Sequence, residues 1–100
     1  MGIGRRAARR DANEQDIVSA LRKVGAVSWP LDTPCDRLVG FRGRWVTLEI
    51  KDGRKPPSAR ALTPAEVEFM AQCDYYHLPH YVVTSIAEAL AAIGASEAQA

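Results

Sequence analysis

Residues 44–51, Arg44-Trp45-Val46-Thr47-Leu48-Glu49-Ile50-Lys51, alternate apolar and polar side chains with a period of two. Successive side chains of an extended strand point to opposite faces. Val46, Leu48 and Ile50 are therefore expected to face a core, and Thr47, Glu49 and Lys51 to share the other surface. Asp52-Gly53 ends the run with a turn signal. On its other side Arg42-Gly43 makes a tight connection back to Arg37-Leu38-Val39-Gly40-Phe41, a second strand. The two strands predict a hairpin, and a hairpin closed at residues 42 and 43 sets Asp36 opposite Glu49.

Outward from this hairpin the chain alternates elements. Ile17, Leu21 and Val24 recur at helical spacing, with Val18 and Ala20 beside them, and predict a helix from about Asp11 to Val24 that stops at Gly25. Glu14 falls on the apolar stripe of that helix or at its margin. Ala26-Val27-Ser28-Trp29-Pro30 reads as a short strand closed by proline. Thr63-Pro64-Ala65-Glu66 has a threonine cap, a proline at the first helical position and a glutamate three residues after the cap, and so starts a helix running to about Tyr76. His80-Tyr81-Val82-Val83-Thr84 is a fourth strand, and Ser85-Ile86-Ala87-Glu88 opens a last helix to about Ile93. The order α-β-β-β-α-β-α predicts an α/β domain with a mixed sheet flanked by helices. One domain is expected over residues 11–94, with a basic flexible arm at 1–10 and a flexible tail at 95–100. Trp29 and Trp45 are read as core residues, with stacking platforms as the alternative.

The formal net charge of +1 conceals a strong asymmetry. All thirteen Lys and Arg residues lie between Arg5 and Arg60, where seven acids accompany them; residues 61–100 carry five acids and no base. Such a division points to an anionic partner for the basic part, nucleic acid first. No apolar run approaches the roughly 20 residues of a membrane span. No apolar segment follows the N-terminal arginines, so no secretory signal is expected. Cys35 and Cys73 form no CxxC and are read as reduced thiols in a cytoplasmic compartment.

The chemistry-bearing residues converge on the hairpin. Glu49 and Lys51, two apart on one strand, project from the same face, and Asp36 arrives across the ladder. Two carboxylates at that separation are costly unless a cation lies between them. A hard divalent ion such as Mg²⁺ takes carboxylate and backbone oxygens. A neighbouring lysine is suited to orienting an attacking water or stabilising charge on a phosphoryl group.

Pro34-Cys35-Asp36 followed by Glu49-Ile50-Lys51 resembles the PD-(D/E)xK nuclease superfamily, whose restriction-endonuclease-like core has the order αβββαβ. Leu48-Glu49-Ile50-Lys51 with Leu62-Thr63-Pro64-Ala65-Glu66 is similar to its small stand-alone VRR-NUC and Holliday-junction-resolvase-like branch of phage or bacterial type. The resemblance covers residues from about 11 to 94. It implies that Glu14 is the first-helix acid, that Asp36, Glu49 and the backbone carbonyl of Ile50 hold Mg²⁺ (with Mn²⁺ as a substitute), and that Lys51 is the catalytic lysine. Two positions depart from the pattern: Cys35 stands between the proline and Asp36, and Glu66 occupies a place where a glutamine is common. Ser58 or Arg60 on the basic loop is a candidate for the donor that glutamate lacks.

The expected function is a Mg²⁺-dependent DNA endonuclease, selective for branched DNA or junctions, acting as a homodimer in phage or bacterial DNA recombination, repair or replication. Arg5, Arg6, Arg9 and Arg10 of the arm, together with Arg42, Arg44, Arg54, Lys55, Ser58 and Arg60, are expected to contact the phosphate backbone. Two other classes compete: a non-catalytic nucleic-acid-binding module with the same fold, and a protein-interaction domain whose acidic second half meets a basic partner.

Overall fold

Strand β3 (Arg44–Ile50) is the axis of the structure, a computed structural model that describes residues 11–96. On one side it pairs antiparallel with β2 (Arg37–Phe41), which in turn pairs antiparallel with β1 (Val27–Pro30). On the other side it pairs parallel with β4 (His80–Val83), giving one mixed sheet of order β1-β2-β3-β4. The β2–β3 connection is a two-residue turn in which both Arg42 (φ 51°) and Gly43 (φ 78°) adopt left-handed backbone. That combination matches the right-handed twist of the strands it joins, and glycine at the second position removes the steric cost there.

The helices follow from spacing and caps. Helix α1 (Glu14–Lys23) buries Ile17, Val18 and Leu21. It starts three residues later than the periodicity predicts, because residues 11–13 form a turn in which the Glu14 amide donates to the Asp11 carbonyl (3.0 Å). The Asn13 side chain then donates to the carbonyls of Lys51 (3.1 Å) and Thr84 (3.2 Å). These bonds pin the beginning of α1 to the ends of β3 and β4. Helix α2 (Pro64–Tyr75) opens on a complete capping box: Thr63 accepts from the Glu66 amide, and the Glu66 carboxylate accepts from the Thr63 amide. Helix α3 (Ile86–Ile93) is capped by the Ser85 hydroxyl and ends at Gly94 in left-handed backbone (φ 82°).

Helices α1 and α3 cover one face of the sheet. Ile17, Leu21, Leu90 and Ile93 pack there against Val39, Val46, Leu48, Ile50 and Val83, all buried. Each such side chain contributes about 1.5–3 kcal/mol by leaving water. Helix α2 crosses part of the opposite face, where Phe69 meets the His80 ring edge-on (4.7 Å between centroids). The architecture is thus α/β, a four-stranded mixed sheet flanked by helices in the order αβββαβα. Trp29 and Trp45 depart from the expectation of a core role. They stand on the α2 side of β1 and of the start of β3, beyond the cover of α2, and both are about half exposed. No helix among the described residues is long and apolar enough to cross a membrane. The arm at 1–10, with Arg5, Arg6, Arg9 and Arg10, and residues 97–100 lie outside the described residues.

Candidate active site at the end of strand β3

The burial pattern of β3 resolves its two faces: Val46, Leu48 and Ile50 are in the core, and Thr47, Glu49 and Lys51 point the other way. The hairpin register pairs Arg37 with Leu48 and Leu38 with Thr47. Continued by one residue, it brings Asp36 to Glu49, as the turn position predicts. Asp36 is held at both ends: its amide donates to the Leu48 carbonyl (3.2 Å), and its Oδ2 accepts from the Ile50 amide (2.7 Å). A charge-assisted bond that short makes the carboxyl part of the strand ladder.

Glu49 is 3 % exposed, and its Oε1 has no hydrogen-bond partner. Its Oε2 lies 3.6 Å from Lys51 Nζ. Burial, then a hydrogen bond with Glu66, then the nearby Asp36 carboxylate push Glu49 up to about 9. Each acts by disfavouring a second negative charge in a dry site. Without a cation, Glu49 holds its proton at neutral pH. Cys35 shares this pocket: buried and close to Glu49, its thiol is pushed up to about 12 and is not a nucleophile.

Lys51 donates to Glu66 Oε1 (3.0 Å), the same oxygen that accepts from the Thr63 amide (2.9 Å). Burial opposes the charged lysine, but the bond and charge of Glu66 outweigh it and hold the ammonium above its ordinary value. Burial likewise pushes Glu66 up, and is outweighed by the Thr63 amide, Glu49 and Lys51, so this carboxyl stays below its ordinary value. Glu66 therefore caps α2 and anchors Lys51. Sequence reasoning left its role open, and the capping-box spacing was the signal that locates it.

The cluster thus sets Glu49 and Glu66 against the Lys51 ammonium, with Asp36 beside Glu49. A divalent cation between Asp36 and Glu49 would satisfy the partnerless Glu49 Oε1 and remove the repulsion between the two carboxylates. Mg²⁺ is commonly bound through one or two carboxylates while it keeps waters or substrate oxygens. Among the described residues no group of three or more His, Cys, Asp or Glu side chains is placed so that it could hold a metal ion. An ion between Asp36 and Glu49 would therefore take most of its ligands from water or substrate.

Glu14 is buried as the stripe predicts, but it faces Arg37, with Arg37 Nη1 3.2 Å from its Oε2. Arg37 follows Asp36 and so points to the opposite face, the face of α1. It also donates to the Ser28 hydroxyl (2.9 Å) and the Ser28 carbonyl (3.3 Å). The structure thus gathers Asp36, Glu49 and Lys51, adds Glu66, and sets Glu14 with Arg37 on the other face of the sheet. Arg37 and Asn13 were not singled out from sequence. An arginine at a core-parity strand position was the one visible sign of the first; nothing marked the second.

The basic residues divide by position. Arg54 grips Asp52 through two bonds (3.1 and 3.0 Å), Lys55 pairs with Asp11 (3.0 Å), and Arg60 Nε donates to the Lys55 carbonyl (2.7 Å). Exposed Ser58 lies in the 3₁₀ turn Pro57–Ala59. These residues lie in the loop leading out of β3, and the donors to Glu66 are Lys51 and Thr63. Arg42 and Arg44 are not part of a basic cluster beside the carboxylates. They stand at the other end of β3, a strand length or roughly 20 Å away. There Arg42 covers the Phe41 ring (4.8 Å), and Arg44 bonds the Ala92 carbonyl (3.4 Å) and the Tyr81 hydroxyl (3.0 Å).

Comparison of the chain with protein-family models, with curated proteins and with solved structures finds no match.

Proposed function

We propose that the protein is a metal-dependent endonuclease that hydrolyses DNA phosphodiester bonds at the end of β3. The observation that carries this reading is the buried, partnerless Glu49 Oε1 beside Asp36, within one ammonium's reach of Lys51. Asp36 and Glu49, with the adjacent Ile50 carbonyl, would hold Mg²⁺. When bound, the ion supplies Lewis-acid polarisation of the phosphate and a more acidic water. The ammonium of Lys51, kept protonated by Glu66, offsets negative charge on the phosphoryl oxygens and orients the attacking water. Glu66 is a positioning residue in this reading, since it acts through Lys51. The loop carrying Arg54, Lys55 and Arg60, together with the arginine-rich arm, supplies phosphate contacts. The resemblance to the PD-(D/E)xK nucleases supports the same assignment and favours branched DNA as substrate.

The test is incubation with branched and linear DNA in Mg²⁺ or in EDTA, beside Asp36→Ala and Lys51→Ala. Cleavage that needs the ion and both side chains is expected. Cleavage that persists in EDTA, or in both variants, would refute the metal site. Mg²⁺-independent binding without cleavage would make the protein a nucleic-acid-binding module instead.

A further inference from the structure

The half of the α2-side sheet face that α2 leaves open has an apolar surface with no role in the proposed chemistry. Trp29 and Trp45 are its centre, 46 % and 53 % exposed, with ring centroids 5.2 Å apart. The Trp45 ring lies down on Gly40: a methyl group there would come within 3.1 Å of it, and within 3.2 Å of Val27 on the other side. Glycine at position 40 thus lets the indole rest flat on the sheet, with its outer surface in water. Across the ladder Trp29 pairs with Leu38. From there an apolar groove of about 200 Å³ runs between Leu38, Trp45, Phe69 and Leu78 to the end of α2. Val27 and Leu78 are each about half exposed.

We infer that this face is the interface of a symmetric homodimer, with the Trp29–Trp45 pair of one copy packed on that of the other. Area is the first argument. Aromatic side chains carry about 150–250 Å² each, so the uncovered parts of the two tryptophans with Val27 and Leu78, and the partly covered Leu38 and Phe69, amount to roughly 500 Å². A standard interface takes about 800 Å² from each partner, and about 65 % of a homodimer interface is apolar, or roughly 520 Å². The patch therefore matches the apolar core of one half of such an interface.

Charge is the second argument. A single nucleic-acid strand stacked on the tryptophans would need cations along its backbone. Among the described residues the nearest arginines, Arg42 and Arg44, turn to the other face, toward Phe41 and Ala92. A two-fold interface sets the same patch against itself, so a groove lined by no charged side chain meets its copy without like-charge repulsion. Tryptophan is also among the residues in which binding energy concentrates at an interface. The dimer is argued from this face alone and stands whether or not the carboxylate cluster cleaves DNA.

Both tryptophans of the chain lie in the patch, so intrinsic fluorescence reports on it directly. The full chain would be diluted from about 100 µM to about 0.1 µM and followed by tryptophan emission and by sedimentation. A species of twice 10.9 kDa with blue-shifted emission, giving way on dilution to a 10.9 kDa species with red-shifted emission, is expected. Trp45→Glu and, separately, Leu78→Glu should each weaken the association about thirtyfold or more while circular dichroism stays unchanged. A protein that stays monomeric at the highest concentration would overturn the inference. So would a dimer that survives in both folded variants. Quenching of the emission of a monomeric protein by a single-stranded oligonucleotide would assign the face to nucleobases instead.

Discussion

Replacing Glu49 by Gln should remove most of the pH dependence of this domain's stability above neutrality. Glu49 is pushed up to about 9 in the folded protein, from an ordinary carboxyl value of 4.5. Between those values the folded state holds one proton that the unfolded state has lost, so stability is full below about pH 4.5 and falls as pH rises through about 9. The slope for one proton is about 1.4 kcal/mol per pH unit, or about 3 kcal/mol between about pH 6 and about pH 8. For a domain of this size that corresponds to a fall in Tm of roughly 10–20 °C. Glutamine has the shape of the protonated acid and keeps an N–H for Glu66, so the variant should match the wild type near pH 6 and exceed it near pH 8. His80, lowered by burial, contributes a slope of the opposite sign near pH 6, but it does so in both proteins and cancels in the comparison. Mg²⁺ should restore the wild type at pH 8, since an ion at about 100 times its Kd contributes about 2.7 kcal/mol, and should leave Glu49→Gln nearly unchanged. The assay is urea or thermal unfolding of both proteins across this pH range, with and without Mg²⁺. Parallel stability curves for wild type and variant would refute the reasoning, because they would mean that Glu49 is ionised in the folded protein.

Substitutions at Asp36, Arg37 and Thr63 test other parts of the structure. Asp36→Ala removes the acceptor of the Ile50 amide and should cost about 1–3 kcal/mol in urea unfolding, whereas Asp36→Asn keeps an acceptor oxygen and should retain stability while losing cleavage. Arg37→Ala takes away the guanidinium facing buried Glu14 and should destabilise by about 3–5 kcal/mol, with part of that recovered in the double variant Arg37→Ala/Glu14→Gln. Thr63→Ala breaks the capping box and should cost about 1 kcal/mol in thermal unfolding. Because the same Glu66 oxygen holds Lys51, this variant should also lower kcat more than it raises KM.

Much of the fold was legible because its signals are local. The alternation through residues 44–51, the Arg42-Gly43 turn, the capping box at Thr63 and the serine cap at Ser85 each depend on neighbours only a few residues away. The hairpin register follows from the turn by counting, which is why Asp36 and Glu49 could be set side by side in advance. The helix start was missed by three residues for the opposite reason: Asn13 is drawn to carbonyls at Lys51 and Thr84, contacts that no local pattern encodes. The tryptophans were misplaced because hydrophobicity alone does not say which part of a sheet a helix covers.

Sequence alone determined the order of elements, the two faces of β3 and the pairing of Asp36 with Glu49, because periodicity and turn geometry constrain residues close along the chain. Only the tertiary structure decided that Glu49 is buried enough to keep a proton, that Glu66 both caps α2 and holds Lys51, and that Glu14 meets Arg37 on the far face. Desolvation and charge pairing depend on which surfaces close over a residue, and that closure is made by segments distant along the chain.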